Sequence, residues 1–163
     1  MRREGSDTVP PTSGSPGPGS PGRYAAGVLR LTSDIHAEMV AHSLRGLPYE
    51  VCGLMVGDPD DDQHRVVRFV PCRNEAASAM VYTVHPVDHL RADRAAEDEG
   101  LAIVGVVHSH THTDAYPSPT DVASAPDPAW HYVIVSLRDD EPMTRSYRIV
   151  DGTIAEERII VED

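Results

Sequence analysis

Two histidines separated by one residue, His108 and His110, end an apolar segment and have the chemistry of metal ligands. The segment, residues 101–107, predicts a buried β-strand. Alternate residues of a strand point to the same face, so both imidazoles can converge on one ion while Ser109 points away. The pair therefore predicts a metal site at the end of this strand.

Three further side chains complete what a hydrolytic zinc site needs. Asp121 can supply a third ligand and leave the fourth tetrahedral position to water, as catalytic zinc sites do. Ser118 can donate a hydrogen bond to a developing oxyanion, and Glu50 can act as the base. Glu50 directly precedes the apolar residues 51–55, and a carboxylate is not expected beside such a segment unless it has a role there. We expect one Zn²⁺ per chain, held by His108, His110 and Asp121.

The same residues have simpler interpretations. Ser118 can cap a short helix, with Asp121 completing a capping box at its third position. Cys52 and Cys72 are interpreted as small core residues rather than ligands. His112 is an alternative to Asp121 as the third ligand.

Other zinc-hydrolase patterns do not fit the spacing. A zinc deaminase needs His-x-Glu followed downstream by Pro-Cys-x-x-Cys, whereas Pro71-Cys72 lies upstream of the histidines. Barrel hydrolases need about 250 residues, and this chain has 163. The motif His-Glu-x-x-His is absent.

Composition sets the expected class of protein. A net charge of −12 argues against nucleic-acid or anionic-membrane binding. Two cysteines and an N-terminus without an apolar signal region favour a cytoplasmic location. Residues 1–23 are rich in Pro, Gly and Ser and predict a disordered tail. Residues 24–163 predict one domain.

Hydrophobic periodicity predicts an α+β fold with a mixed, largely antiparallel sheet and helices on its faces. Helices are expected from about Ser33 to Leu44, from Pro86 to Glu99 and from about Pro119. Asp151-Gly152 predicts a type I′ hairpin turn. The predicted strands are 26–31, 51–56, 65–70, 81–84, 101–107, 131–137 and 145–150, with a last strand after residue 152.

Glu50, His108-Ser109-His110, Ser118 and Asp121 together resemble the signature of the JAMM (MPN-plus) metalloproteases. The likeness spans about residues 26–160. It implies a curved central sheet flanked by helices, a zinc ion on His108, His110 and Asp121, and catalytic roles for Glu50 and Ser118.

Within this family, residues 116–121, 131–136 and 146–152 resemble actinobacterial members. Those members release cysteine from the C-terminus of a small ubiquitin-like sulfur-carrier protein of the CysO type. The resemblance implies that such a carrier is the substrate. The alternatives are a general JAMM isopeptidase acting on other ubiquitin-like conjugates and a non-catalytic MPN scaffold.

Overall fold

The computed structural model describes residues 27–163, which form a seven-stranded sheet and three helices. The predicted tail, residues 1–23, lies outside the described residues. The strands are β1 (Val28–Thr32), β2 (Cys52–Gly57), β3 (Val66–Cys72), β4 (Ala102–His110), β5 (His131–Ser136), β6 (Met143–Val150) and β7 (Thr153–Glu162). The helices are α1 (Ser33–Gly46), α2 (Pro86–Asp98) and α3 (Pro119–Ser124). The predicted α+β class is confirmed.

The strand order is β1-β7-β6-β5-β4-β2-β3. β1 pairs with β7 and β4 with β5 in parallel, whereas the other four pairs are antiparallel. The sheet is strongly curved, so that its two edges approach each other. At this point the backbone N–H of Arg30 donates to the carbonyl of His64 at 3.0 Å. The prediction of a mixed, largely antiparallel, curved sheet is correct.

Apolar side chains cover both faces of the sheet. On one face, Ile35 and Met39 of α1 pack in a cluster with Val107 of β4. On the other face, Ala92 of α2 packs in a cluster with Val106. His108 and His110 follow Val106 by steps of two residues, so they lie on the α2 face.

β4 lies inside the sheet between β5 and β2, and its register positions the residues around the histidines. Cys52, the first residue of β2, is the partner of His108. The pairing continues beyond the regular strand, because the N–H of Ser109 donates to the carbonyl of Val51 at 3.0 Å. Glu50 is therefore brought to the end of β4 although it lies far away in sequence.

The strand predicted at residues 81–84 is absent from the described structure. Only Val84 forms a bridge there, with Asn74. The segment instead bonds to the side chain of Asn74, whose Oδ1 accepts from Thr83 N at 2.8 Å and whose Nδ2 donates to the carbonyl of Val81 at 3.1 Å. Backbone pairing with residues 73–75 is limited to this bridge and the bonds beside it, such as that from the N–H of Glu75 to the carbonyl of Thr83 at 2.8 Å, so the prediction of a strand is wrong.

Candidate active site

The end of β4 presents two buried imidazoles on one face of the sheet. His108 is 2% exposed and His110 is 4% exposed, and their Nε2 atoms lie 3.1 Å apart. Burial lowers the pKa of His108, which favours the neutral imidazole that binds metal ions. The structure brings these two side chains together as strand alternation predicts.

The third group of the cluster comes from α3. Oδ2 of Asp121 lies 3.4 Å from Nε2 of His108 and 3.4 Å from Nε2 of His110. Burial alone would raise the pKa of Asp121, but its contacts with the two imidazoles outweigh that effect and lower the pKa. The carboxylate is therefore ionised and faces the histidines.

The spacing of these three atoms fits a tetrahedral zinc ion. Bonds of about 2.0–2.1 Å place two tetrahedral ligands about 3.3 Å apart, and the observed separations are 3.1, 3.4 and 3.4 Å. Within residues 27–163, His108, His110 and Asp121 form a group whose ligand atoms all lie within 4.8 Å of one another. Two imidazoles and one carboxylate are also a donor set that leaves a fourth position for water or substrate.

His112 lies apart from this cluster. Its side chain is exposed, its Nδ1 lies 2.7 Å from Oγ1 of Thr111, and it is not a member of the group of potential ligands. The geometry therefore favours Asp121 over His112 as the third ligand.

Glu50 is held beside the cluster by its backbone. Its N–H donates to the carbonyl of Ser78 at 2.8 Å, and its carbonyl accepts from Nδ2 of Asn74 at 3.0 Å. The next residue, Val51, donates its N–H to Oγ of Ser109 at 2.9 Å. The side chain of Ser109, which points away from the metal face, thus fixes the segment that carries Glu50.

The carboxyl group of Glu50 lies in a buried environment that raises its pKa. The side chain is buried, and the residue is 5% exposed. Burial is the main cause that raises its pKa to about 7; His110 opposes the rise and the charge of Asp121 adds to it. A carboxyl group with this pKa can accept a proton and return it near neutral pH.

Ser118 begins α3 and lies next to the ligand carboxylate. Its Oγ accepts a hydrogen bond from the N–H of Asp121 at 3.2 Å, and its own N–H donates to Oδ2 of Asp121 at 2.7 Å. Because Oγ is an acceptor in this contact, its hydroxyl proton can be donated to another group. An oxyanion forming beside the cluster is a suitable acceptor.

The sequence model of the family described as prokaryotic homologs of the JAB domain, Prok-JAB, matches residues 32–150. This chain belongs to the Prok-JAB family. The matched range begins at the cap of α1, ends with β6 and contains every residue of the candidate site. The JAMM/MPN resemblance predicted from the sequence is confirmed.

Curated relatives of this Prok-JAB chain have related names. A CysO-cysteine peptidase of Mycobacterium tuberculosis is 43% identical over 135 residues, which cover 82% of this chain and 91% of the relative. A probable TtuB-protein conjugate cleaving protease of Thermus thermophilus is 36% identical, covering 66% and 70% of the two chains. A desampylase of Haloferax volcanii is 34% identical, covering 66% and 80%.

Solved structures confirm the fold of the Prok-JAB domain. A protein from Desulfitobacterium hafniense superposes with a TM-score of 0.76 at 34% identity, covering 83% of this chain and 93% of the other. A JAB1/MPN domain protein from Archaeoglobus fulgidus gives a TM-score of 0.50 at 16% identity, covering 81% and 99%. The second likeness concerns the fold alone.

Proposed function

We propose that this protein is a zinc-dependent peptidase of the Prok-JAB family that releases cysteine from a ubiquitin-like carrier. The bond cleaved is the amide between the carrier's C-terminal glycine and the attached amino acid. The observation that carries the proposal is the triangle of His108, His110 and Asp121 with the buried Glu50 beside it. The 43% identity with a CysO-cysteine peptidase over most of both chains supports the choice of substrate.

In this proposal, residues 24–163 are the peptidase domain, and His108, His110 and Asp121 hold the zinc ion. A zinc ion held there would lower the pKa of a bound water and polarise the carbonyl of the scissile bond. The spacing of the three ligand atoms and the neutral state of His108 support the assignment.

Glu50 and Ser118 carry out the proton transfer and the charge stabilisation. Glu50 accepts the proton of the attacking water and then delivers it to the nitrogen of the departing amino acid. Ser118 donates its hydroxyl proton in a hydrogen bond to the oxyanion that forms on the carbonyl, a contact often worth about 3 kcal/mol. The products are the carrier with a free terminal carboxylate and a free amino acid.

A cysteine nucleophile is not needed for this chemistry. Cys52 lies two residues after Glu50, but it is 1% exposed. Burial, together with the neighbouring Cys72 and Asp88, raises the pKa of the Cys52 thiol to about 12. A thiol with this pKa is protonated at neutral pH and is a poor nucleophile.

The location proposed is the cytoplasm, and the carrier is the only macromolecular partner proposed. Cys52 and Cys72 are both buried and unpaired, as a reducing compartment allows. Within residues 27–163, no helix is both long and apolar enough to cross a membrane. The net charge of −12 disfavours nucleic acid as a partner.

A general isopeptidase that cleaves other ubiquitin-like conjugates is the second candidate. It is favoured by the relatives named as a TtuB-protein conjugate cleaving protease and a desampylase. A non-catalytic scaffold is disfavoured, because the chain retains the three potential ligands in one cluster and a buried Glu50 whose carboxyl group interacts with the charges of His110 and Asp121.

The intact mass of a carrier after incubation with the enzyme distinguishes these functions. The substrate is a CysO-type carrier with a C-terminal cysteine, and the variant Glu50→Gln is the matched control. We expect the carrier to lose one cysteinyl residue with the wild-type enzyme and to stay intact with the variant. Cleavage of a lysine-linked conjugate, with the cysteine adduct left intact, would establish the isopeptidase instead. If both substrates stay intact, the scaffold interpretation gains support.

A further inference from the structure

The two histidines of the cluster are oriented in different ways. Nδ1 of His110 lies 2.7 Å from the carbonyl oxygen of Asp114 and 3.0 Å from Oγ1 of Thr113. Such contacts fix the tautomer and the ring angle of a metal-binding histidine, so that Nε2 faces the ion. Nδ1 of His108 is buried and has no hydrogen-bond partner among the described residues. His108 thus lacks the contact that commonly orients a ligand of this kind.

An aromatic ring lies against His108 instead. The ring of Tyr82 is stacked on the imidazole, with ring centroids 4.3 Å apart and an angle of 18° between the ring planes. The ring of His110 is a second neighbour of His108, with ring centroids 5.0 Å apart and an angle of 57° between the ring planes. Of these two rings, only that of Tyr82 is stacked on the imidazole of His108.

The loop that carries Tyr82 is fixed to the segment that carries Glu50. Oδ1 of Asn74 accepts from the N–H of Thr83, the residue that follows Tyr82, at 2.8 Å. Nδ2 of the same side chain donates to the carbonyl of Glu50 at 3.0 Å. The N–H of Glu75 donates to the carbonyl of Thr83 at 2.8 Å. These hydrogen bonds, made by the Asn74 side chain and the Glu75 backbone, link the Tyr82 loop to the Glu50 segment and restrict the position of the Tyr82 ring.

We propose that Tyr82 is a positioning residue, whose ring holds the imidazole of His108 in the orientation that presents Nε2 to the metal ion. The inference rests on the proposed metal site, but not on the substrate. Stacking restricts the rotation of the imidazole about its side-chain bonds, which reduces the entropy lost when the ion binds. A bound cation also makes the imidazole ring more positive, and the negative face of an aromatic ring attracts positive charge. Both effects make metal affinity depend on the Tyr82 ring and not on its hydroxyl group.

Metal affinity and the absorption spectrum of the Co²⁺-loaded protein test this proposal without any substrate. We expect Tyr82→Leu to weaken Co²⁺ binding by about 10- to 100-fold, the usual effect of losing an orienting partner, and to alter the visible spectrum. Tyr82→Phe keeps the ring and should retain both the wild-type affinity and the wild-type spectrum. Tyr132→Leu is the matched control, because Tyr132 is a buried tyrosine of the same apolar cluster whose hydroxyl binds the carbonyl of Asp127.

Three results would overturn the proposal: wild-type affinity in Tyr82→Leu, an equal loss in Tyr82→Phe, or the same spectral change in Tyr132→Leu. If Tyr82→Leu does not fold, proton NMR of the zinc-loaded wild-type and Tyr82→Phe proteins still gives a decision. Stacking predicts upfield shifts of the His108 ring protons in both, and ordinary shifts in both would contradict the proposal. Failure of the wild-type protein to bind any metal would instead refute the proposed function itself.

Discussion

The side chains of Ser118 and Asp121 each accept a hydrogen bond from the backbone N–H of the other residue, and one atom of this pair has two roles. Oδ2 of Asp121 accepts from the N–H of Ser118 at 2.7 Å, while Oγ of Ser118 accepts from the N–H of Asp121 at 3.2 Å. The same Oδ2 atom lies 3.4 Å from each of the two histidine Nε2 atoms. The capping box of α3 therefore also aims the carboxylate at the candidate metal site. The same Asp121 oxygen accepts the capping hydrogen bond and faces the two histidines.

Removal of any one ligand is expected to abolish stoichiometric zinc binding. The purified wild-type protein should hold about one zinc ion per chain, and His108→Ala, His110→Ala and Asp121→Ala should each hold far less. Elemental analysis after dialysis gives the metal content. His112→Ala is the control and should retain zinc, because this exposed side chain lies outside the cluster. A variant pattern in which His112→Ala loses the metal and Asp121→Ala keeps it would reverse the ligand assignment.

Replacement of the candidate base should separate catalysis from metal binding. Glu50→Gln keeps the size of the side chain but cannot accept a proton, so we expect bound zinc and a decrease in kcat of at least about 100-fold. Glu97→Gln, which removes an exposed carboxylate of α2, should leave kcat unchanged. Near-normal turnover by Glu50→Gln in the carrier assay would refute its role as the base.

Ser118 should affect both stability and rate. Ser118→Ala removes the cap of α3, which is expected to cost about 1 kcal/mol of unfolding free energy. It also removes the donor to the oxyanion, which is expected to decrease kcat about 100-fold with little change in KM. Ser118→Thr restores a hydroxyl group and should recover most of both. Recovery of stability in the threonine variant, with kcat equal in all three proteins, would limit Ser118 to a capping role.

A buried ion-pair network outside the candidate metal site is expected to contribute to stability. Oε2 of Glu157 lies 2.7 Å from Nδ1 of His131, and Oε1 accepts from Nε of Arg148 at 2.6 Å. Burial favours a higher pKa for Glu157, but the contacts with His131 and Arg148 outweigh it and lower the pKa. His131 lies opposite Gly105 in the pairing of β4 with β5, three residues before the position of His108. Removal of Arg148 should therefore change stability without changing the metal site.

Arg148→Met is expected to decrease the unfolding free energy by about 3 kcal/mol at pH 7, because it removes the guanidinium that balances the charge of a buried carboxylate. A carboxylate with a lowered folded-state pKa stabilises the protein above its unfolded pKa, and this stabilisation is lost as the pH falls through the folded pKa. The difference between wild type and variant should therefore become smaller below about pH 4.5. Urea unfolding at several pH values measures this difference, and a difference that grows on acidification would contradict the assigned ionisation. Zinc content should be equal in both proteins.

The local part of the site follows from short-range sequence patterns. Alternation along β4 puts His108 and His110 on one face, and Ser118 and Asp121 have the spacing of a capping box. The Asp151-Gly152 turn is equally local, and both residues have positive φ angles, 49° and 77°, as a type I′ turn requires. Each of these features depends on the geometry of a few consecutive residues, and for that reason the sequence predicts them.

Tertiary structure decided what lies around these residues. The pairing of β2 with β4 brings Glu50 to the histidines, and Ser109 and Asn74 hold its backbone through hydrogen bonds that no local pattern specifies. The stacking of Tyr82 on His108 depends on a loop that the sequence wrongly predicts as a strand. By itself the sequence determined the residue types, their faces and the family resemblance. Only the folded chain decided which distant groups meet, because strand register and contacts between a side chain and a remote backbone depend on the whole sheet.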